Sequence, residues 1–159
     1  MRILKSGKVY HAHRSLSFGR EYAALIDILG LNCICPIFGH LKYHRRCTNG
    51  RVSSSVKLIL EVPNEKVKLT DYPVWADFMF AMKYTNKSNY HKISMVSSET
   101  EVSQKMLDKM IRSLKEQKRP GEYKIPQAVM EEIRPEWLVK YKLHPHDPFG
   151  KIRRIFNSI

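Results

Sequence analysis

The sequence predicts an α+β fold, with a small mixed or antiparallel sheet and three or four helices in a single domain, residues 1–159. Some segments have apolar residues at alternate positions, which predicts strands, and others have a helical apolar stripe, which predicts helices. These predicted strands and helices are mixed along the chain without the regular spacing of βαβ units. The 159 residues contain no internal repeat, low-complexity tract or linker. A chain of this length is enough for one domain with a hydrophobic core.

The first third of the chain predicts a strand, a helix and a second strand. Residues 8–13 favour a short strand. A helix is expected over about 18–29, where apolar side chains form one stripe, Ser17 can cap the start and Gly30 can end the last turn. The apolar run 31–38 is typical of a buried strand.

The clearest strand pattern of the sequence is at residues 56–62. Its apolar side chains occur at every second position, which is the period of a strand with one buried face. A turn over 63–65 leads to a second strand edge at 67–69. Asp71 is then expected to cap a helix that runs through Met82.

The second half predicts two further helices and a basic tail. Ser98 and Glu101 have the spacing of a capping box, which predicts a helix to about residue 117. The core face of this helix is assigned to Val102, Met106, Met110, Ile111 and Leu114. A short helix is expected over 127–133, and a basic C-terminal tail is expected over about 140–159.

The charge of the chain predicts a polyanionic partner. Its 28 Lys and Arg residues outnumber its 15 Asp and Glu residues, leaving a net charge of +13. Cations mixed with aromatic residues suit phosphate contact with base stacking, so we expect nucleic acid to be the partner, as RNA or DNA. The candidate nucleic-acid-binding residues are Lys42, Tyr43, Arg45, Arg46 and Arg51, supported by Lys151, Arg153 and Arg154. Lys140, Lys142, Tyr141 and Phe149 belong to the same C-terminal cluster.

Two other interpretations of the basic clusters remain open at this point. The clusters could form a solubilising surface, or they could engage an acidic host protein as a non-enzymatic inhibitor. Three cysteines do not make a disulfide framework, and no uncharged apolar stretch reaches about 18 residues. We therefore expect a cytoplasmic protein without a membrane span.

A set of five soft or borderline ligands defines an alternative metal site. Cys33, Cys35, His40, His44 and Cys47 lie within fifteen residues, and zinc takes four such ligands. Their spacing differs from the usual C-x2-C knuckle, so no metal site is predicted. The sequence also contains no phosphate-binding glycine-rich motif and no metalloprotease or nucleophile-elbow motif, so no cofactor is expected.

One ordered set of residues resembles the arginine-modifying ADP-ribosyltransferases. Arg14 follows the first predicted strand, Ser53-Ser54-Ser55 precedes the strand at 56–62, and Glu99-x-Glu101 comes later. The resemblance implies that Arg14 holds the dinucleotide phosphates, Ser54 supports the ring, and Glu101 stabilises an oxocarbenium-like transition state. It also implies an NAD-dependent enzyme acting on host proteins. The chain departs from that family because Glu101 begins a predicted helix, where the family has a strand.

A longer match resembles an uncharacterised family of small bacterial and phage proteins. It rests on the Pro-Ile-Phe-Gly-His segment at 36–40 and on residues 56–75, with its V-P-N-E-K-V turn and T-D-Y-P-V-W helix start. Arg153-Arg154-Ile155-Phe156 is similar to the closing segment of that family. The resemblance implies a shared fold and a phage origin, and it implies no activity. By their own pattern these residues are a strand, a turn and a capped helix, with Trp75 expected in the core.

Overall fold

Three helices, a three-stranded sheet and a separate two-stranded ribbon make up the described part of the protein. The computed structural model describes residues 6–14, 18–42, 55–83 and 104–144. The elements in chain order are α1 (Gly19–Leu29), β1 (Ile37–His40), β2 (Ser55–Leu60), β3 (Lys68–Asp71), α2 (Tyr72–Lys83), α3 (Gln104–Lys115), β4 (Pro126–Met130) and β5 (Leu138–His144). The arrangement confirms the predicted α+β class.

The two sheets are antiparallel and are formed by segments far apart in the chain. In the larger sheet β4 lies between β1 and β3, and Val129 faces Phe38 on one side and Lys68 on the other. The smaller sheet is a two-stranded ribbon, in which β2 pairs with β5 from Ser55 opposite His144 to Leu60 opposite Leu138. The predicted strand at 56–62 is therefore confirmed over most of its length, with a partner in the C-terminal region.

Helix α1 ends where the sequence predicts. Gly30 adopts the left-handed conformation with φ +63°, and its N–H bonds to the carbonyls of Ile26 and Asp27. The N–H of Leu31 also bonds to the Ile26 carbonyl, at 2.9 Å. The N-cap is Phe18, without a side-chain cap bond, and Ser17 lies outside the described residues.

Replacing Gly30 with alanine is expected to lower the free energy of unfolding by about 1 kcal/mol. A side chain at φ +63° is strained even though the added Cβ would meet open space, and that strain costs about 1–2 kcal/mol for an L-residue. Gly121→Ala is the matched control because Gly121 is equally open and has no positive φ. Urea unfolding of both variants measures the difference, and equal losses would contradict the explanation.

The core is built around an aromatic row that connects α1, β1 and α2. The ring centroids of Tyr22 and Phe38 are 5.5 Å apart, those of Phe38 and Trp75 are 6.2 Å apart, and those of Trp75 and Phe78 are 6.0 Å apart. Burial, with smaller contributions from Cys35 and Glu21, raises the pKa of the Tyr22 hydroxyl. Trp75 is a core residue, as predicted.

Helix α3 presents most of the predicted face to the core, with Leu107 in place of Met106. Leu107 and Leu114 are fully buried and Met110 and Ile111 pack beside them, whereas Met106 is 51% exposed. Positions 107, 110, 111 and 114 have helical spacing, so the prediction is confirmed for Met110, Ile111 and Leu114 and is wrong for Met106. Val102, Ser98 and Glu101 lie outside the described residues.

Three other predicted elements are wrong. Within 8–13 only Tyr10 pairs, in a single bridge to Ile133. The buried strand predicted at 31–38 begins at Ile37, because the preceding residues turn away from the end of α1 and Pro36 has no N–H to donate. The helix predicted over 127–133 is mostly strand β4, where pairing on both sides outweighs the helix propensity of its Ala, Met and Glu residues.

The open edge of β3 is closed by side chains that follow α3. The amide of Gln117 accepts from the N–H of Leu69 at 2.8 Å and donates to its carbonyl at 3.2 Å. The Tyr123 hydroxyl also donates to the Leu69 carbonyl, at 3.4 Å. The Asp71 carboxylate accepts hydrogen bonds from the N–H groups of Lys124 and Ile125, so it links the end of β3 to the segment before β4. The predicted role of Asp71, as a helix cap, does not include this link. An unpaired strand edge can pair with another chain, and these hydrogen bonds occupy the edge of β3.

Candidate nucleic-acid interface

The ribbon of β2 and β5 carries three lysines on one face. Lys57 lies directly opposite Lys142, and Ile59 lies opposite Lys140. Paired residues of an antiparallel ribbon share a face, and residues two apart on a strand return to it. Lys57, Lys140 and Lys142 therefore point to the same side, which we call the lysine face.

The lysine face is exposed, and its two strands contribute no acidic side chain. All three lysines are exposed, and neither β2 nor β5 contains Asp or Glu. Among the residues that the structure describes, no carboxylate lies within 4.0 Å of these ammonium groups. Opposed like charges destabilise a strand pair, so Lys57 and Lys142 repel each other across the ribbon.

The opposite face of the ribbon is apolar. Val56, Leu58, Leu60 and Tyr141 alternate with the lysines along the two strands and so share this second face. Val56 is 41% exposed and Tyr141 is 40% exposed, while Leu58 and Leu60 are half-buried. The ring of Tyr141 and the three ammonium groups are therefore on different sides of the ribbon.

The end of the ribbon at Leu60 and Leu138 is held in place by the segment that precedes β5. The N–H of Glu61 donates to the carbonyl of the buried Trp137 at 2.8 Å. The guanidinium of Arg134 lies 5.8 Å from the centre of the Trp137 ring, and its Nε donates to Glu132 at 2.6 Å. The same hydrogen bond raises the pKa of Arg134. The charge of Arg134 is thus already paired, whereas the lysine face has no ion pair with any carboxylate in the described ranges.

The residues predicted from the sequence fall largely outside the described part of the chain. Lys42 is exposed just after β1. The others, which lie outside the described residues, are Tyr43, Arg45, Arg46, Arg51, Lys151, Arg153 and Arg154. Ser55 lies opposite His144, and in the sequence these two residues adjoin segments 43–54 and 145–159.

Sequence reasoning missed Lys57 and gave Lys140 and Lys142 no strand partner. Lys57 was visible as a cation within the clearest strand pattern, at 56–62. Its importance depends on the register with β5, which brings together residues 85 positions apart (142 minus 57). Local periodicity carries no information about such a pairing.

A second row of cations lies on α3 but has an acidic neighbour. Lys105, Lys109 and Arg112 are exposed at helical spacing, with the exposed Asp108 among them. The Nε of Arg112 also donates to the backbone carbonyl of Asp108 at 3.3 Å. The carboxylate of Asp108 reduces the local positive potential, so this row is a weaker anion site than the lysine face.

The described members of the alternative metal set do not form a site. No group of three or more His, Cys, Asp or Glu side chains in the described ranges is placed to hold a metal ion. Cys35 is buried, and its thiol donates to the Pro36 carbonyl at 3.8 Å. Burial, with a smaller contribution from Glu131, raises the pKa of the half-buried Cys33 thiol and so disfavours the thiolate that a metal needs. His44 and Cys47 lie outside the described residues, and the exposed His40 ends β1.

Of the three residues in the ADP-ribosyltransferase interpretation, the structure describes one. Arg14 is exposed after a segment that forms a single bridge rather than the strand expected before it. Ser54 and Glu101 lie outside the described residues, so the convergence of the three remains a prediction.

No protein-family model matches this chain, and no curated protein and no solved structure is significantly similar to it. The two resemblances noted in the sequence therefore remain predictions. None of the helices in the described ranges is both long and apolar enough to cross a membrane.

Proposed function

We propose that this protein binds nucleic acid through the lysine face of its β2–β5 ribbon, without catalysis. The observation that carries the proposal is the cross-strand placement of Lys57, Lys140 and Lys142 on two strands that contain no acidic residue. In the same proposal the protein acts in the cytoplasm, which is host cytoplasm if the gene is phage-encoded.

The energetics of the ribbon support this function. The repulsion between Lys57 and Lys142 works against the strand pair, and a bound polyanion removes it. Neutralising phosphates with lysines also releases condensed counterions, which is the main source of sequence-independent affinity. The cost of the opposed charges in the free protein is thus offset in the complex.

The cation-rich segments that adjoin the ribbon in the sequence support the same proposal. Segment 43–54 contains Arg45, Arg46 and Arg51, and segment 145–159 contains three further cations, Lys151, Arg153 and Arg154. Both segments continue from the paired residues Ser55 and His144. We expect these cations to add phosphate contacts to those of the lysine face.

Replacing Lys57, Lys140 and Lys142 together with glutamine is expected to weaken nucleic-acid binding strongly. Each lost phosphate contact removes about 0.9 from the slope of log K against log salt, so the slope should fall by about 2.7 and affinity at 0.1 M salt should fall on the order of 10²-fold. Fluorescence anisotropy with labelled nucleic acid over a salt series measures both quantities.

The matched control removes the same charge from another surface. Lys105→Gln, Lys109→Gln and Arg112→Gln on α3 lower the net charge equally, and we expect a much smaller change in affinity because Asp108 already weakens that row. Equal losses in the two triple variants would reject the ribbon as the site. If the wild-type protein bound an acidic host protein and no nucleic acid, the protein-inhibitor interpretation would replace this proposal.

A further inference from the structure

We infer that the partner of the lysine face is duplex DNA, contacted mainly through its phosphates and without readout of the base sequence. The inference rests on the proposed function and deepens it, because it selects one form of nucleic acid. Three features of the ribbon carry it: the position of its aromatic residue, the side chains available on the lysine face, and the width of two paired strands.

The aromatic residue of the ribbon is on the wrong side for binding a single strand. Proteins that hold single strands place aromatic rings beside their cations, so that bases stack while phosphates are neutralised. Here Tyr141 pairs with Leu58 on the apolar face, and the lysines lie on the other. By register Ser55 and His144 also fall on the lysine face, and of its described side chains, those of Lys57, Ile59, Lys140 and Lys142, none has a ring.

The same side chains favour phosphates over base edges. Base identity is read mostly by side chains that form two hydrogen bonds to a base edge: Arg or Lys on guanine, and Asn or Gln on adenine. The described part of the lysine face offers only ammonium groups, which act as point charges on flexible stems and among the bases address guanine alone. Contacts of this kind hold the protein on the duplex and carry little sequence information.

The dimensions of the ribbon fit the major groove of B-form DNA. Two paired strands lie about 4.8 Å apart, and the groove, about 12 Å wide, admits a two-stranded ribbon. The major groove of A-form RNA is too deep and narrow for protein side chains to read. Lys57 and Lys142 face each other across the ribbon, and Lys140 follows two residues along β5, about 7 Å away. With its lysine face toward the groove, the ribbon can reach phosphates on both walls.

The experiment compares three nucleic acids of one mixed sequence: a DNA duplex, the RNA duplex and the DNA single strand. A second DNA duplex of unrelated sequence tests for readout of the bases. Anisotropy titrations over a salt series are made with the wild-type protein, with the triple glutamine variant of the lysine face, and with Tyr141→Leu. Leucine keeps an apolar side chain on the second face and removes the ring. Thermal unfolding of each variant establishes that the ribbon is intact.

We expect the wild-type protein to bind the DNA duplex most tightly, with similar affinity for unrelated duplex sequences. The triple glutamine variant should lower the salt slope of duplex binding by about 2.7. Tyr141→Leu should change the affinity for the DNA duplex by less than about twofold, because an aromatic ring contributes by stacking on the bases of a single strand. Tighter binding of the single strand together with a large loss in Tyr141→Leu would overturn the inference while keeping the proposed function. RNA duplex binding equal to or tighter than DNA duplex binding would also overturn it. Absence of binding to all three would reject the proposed function itself.

Discussion

Phe78→Ala is expected to lower the free energy of unfolding by about 3–5 kcal/mol, the usual cost of deleting a buried aromatic side chain. The side chain of Phe78 has no solvent exposure, and its ring lies 6.0 Å from that of Trp75 in the middle of the core cluster. The substitution leaves a cavity where α2 meets the other core helices. Equilibrium urea unfolding followed by tryptophan fluorescence measures the loss.

Phe80→Ala is the matched control for this prediction. Phe80 lies on the same helix, two residues along, and is 57% exposed. The same atoms are removed from a surface position, so we expect a loss of less than about 1 kcal/mol. Comparable losses in the two variants would show that the aromatic row does not dominate the core.

Lys142→Glu is expected to abolish most nucleic-acid binding without destabilising the protein. It places a carboxylate directly opposite Lys57 and turns a repulsive cross-strand pair into an attractive one. Opposite-charge pairs at such positions contribute about 0.2–1 kcal/mol, so the melting temperature should stay equal or rise slightly. Affinity should fall more than tenfold, roughly, because one phosphate contact is lost and a repelling charge is added.

The double variant with Lys57→Glu and Lys142→Glu, compared with the two single variants and the wild type, completes a double-mutant cycle. Each single variant has one cation and one anion across the ribbon, whereas the double variant has two anions and restores the repulsion. We expect its stability to be lower than that of either single variant, with binding weaker still. Additive stability changes would mean that the two side chains do not interact, and would contradict the described register.

The local elements of the fold were largely predictable from the sequence. The apolar stripe and Gly30 predict α1, alternation predicts most of β2, and the run from Asp71 to Met82 predicts α2, because each signal lies within a few neighbouring residues. The helix predicted at 127–133 is wrong because the propensity of that segment is outweighed by its strand partners on both sides. The core face of α3 is predicted correctly at Met110, Ile111 and Leu114. It is wrong at Met106, because Met106 and Leu107 both have helical spacing to Met110 and a local pattern does not distinguish them.

The candidate site was less predictable than the fold. Sequence patterns singled out cations as candidate phosphate contacts and located Lys140 and Lys142 in a basic cluster. They did not indicate that Lys57 belongs with these residues, because the register of β2 with β5 is a property of the tertiary structure. Nor did they indicate that Tyr141 and the lysines lie on opposite faces, which separates stacking from phosphate contact.

The strand pairing also determines when the chain can fold during synthesis. Phe38 and Val129 face each other across the larger sheet, so β1 must wait roughly ninety residues for its partner, and such non-local contacts slow folding. Strand β2 waits nearly as long for β5. On the ribosome, α1 and α2 emerge long before the central strand that will support them, with the apolar residues of the future core still exposed to solvent. The nascent protein therefore depends on the late appearance of residues 126–144, and premature termination before them would leave a chain that can complete neither sheet.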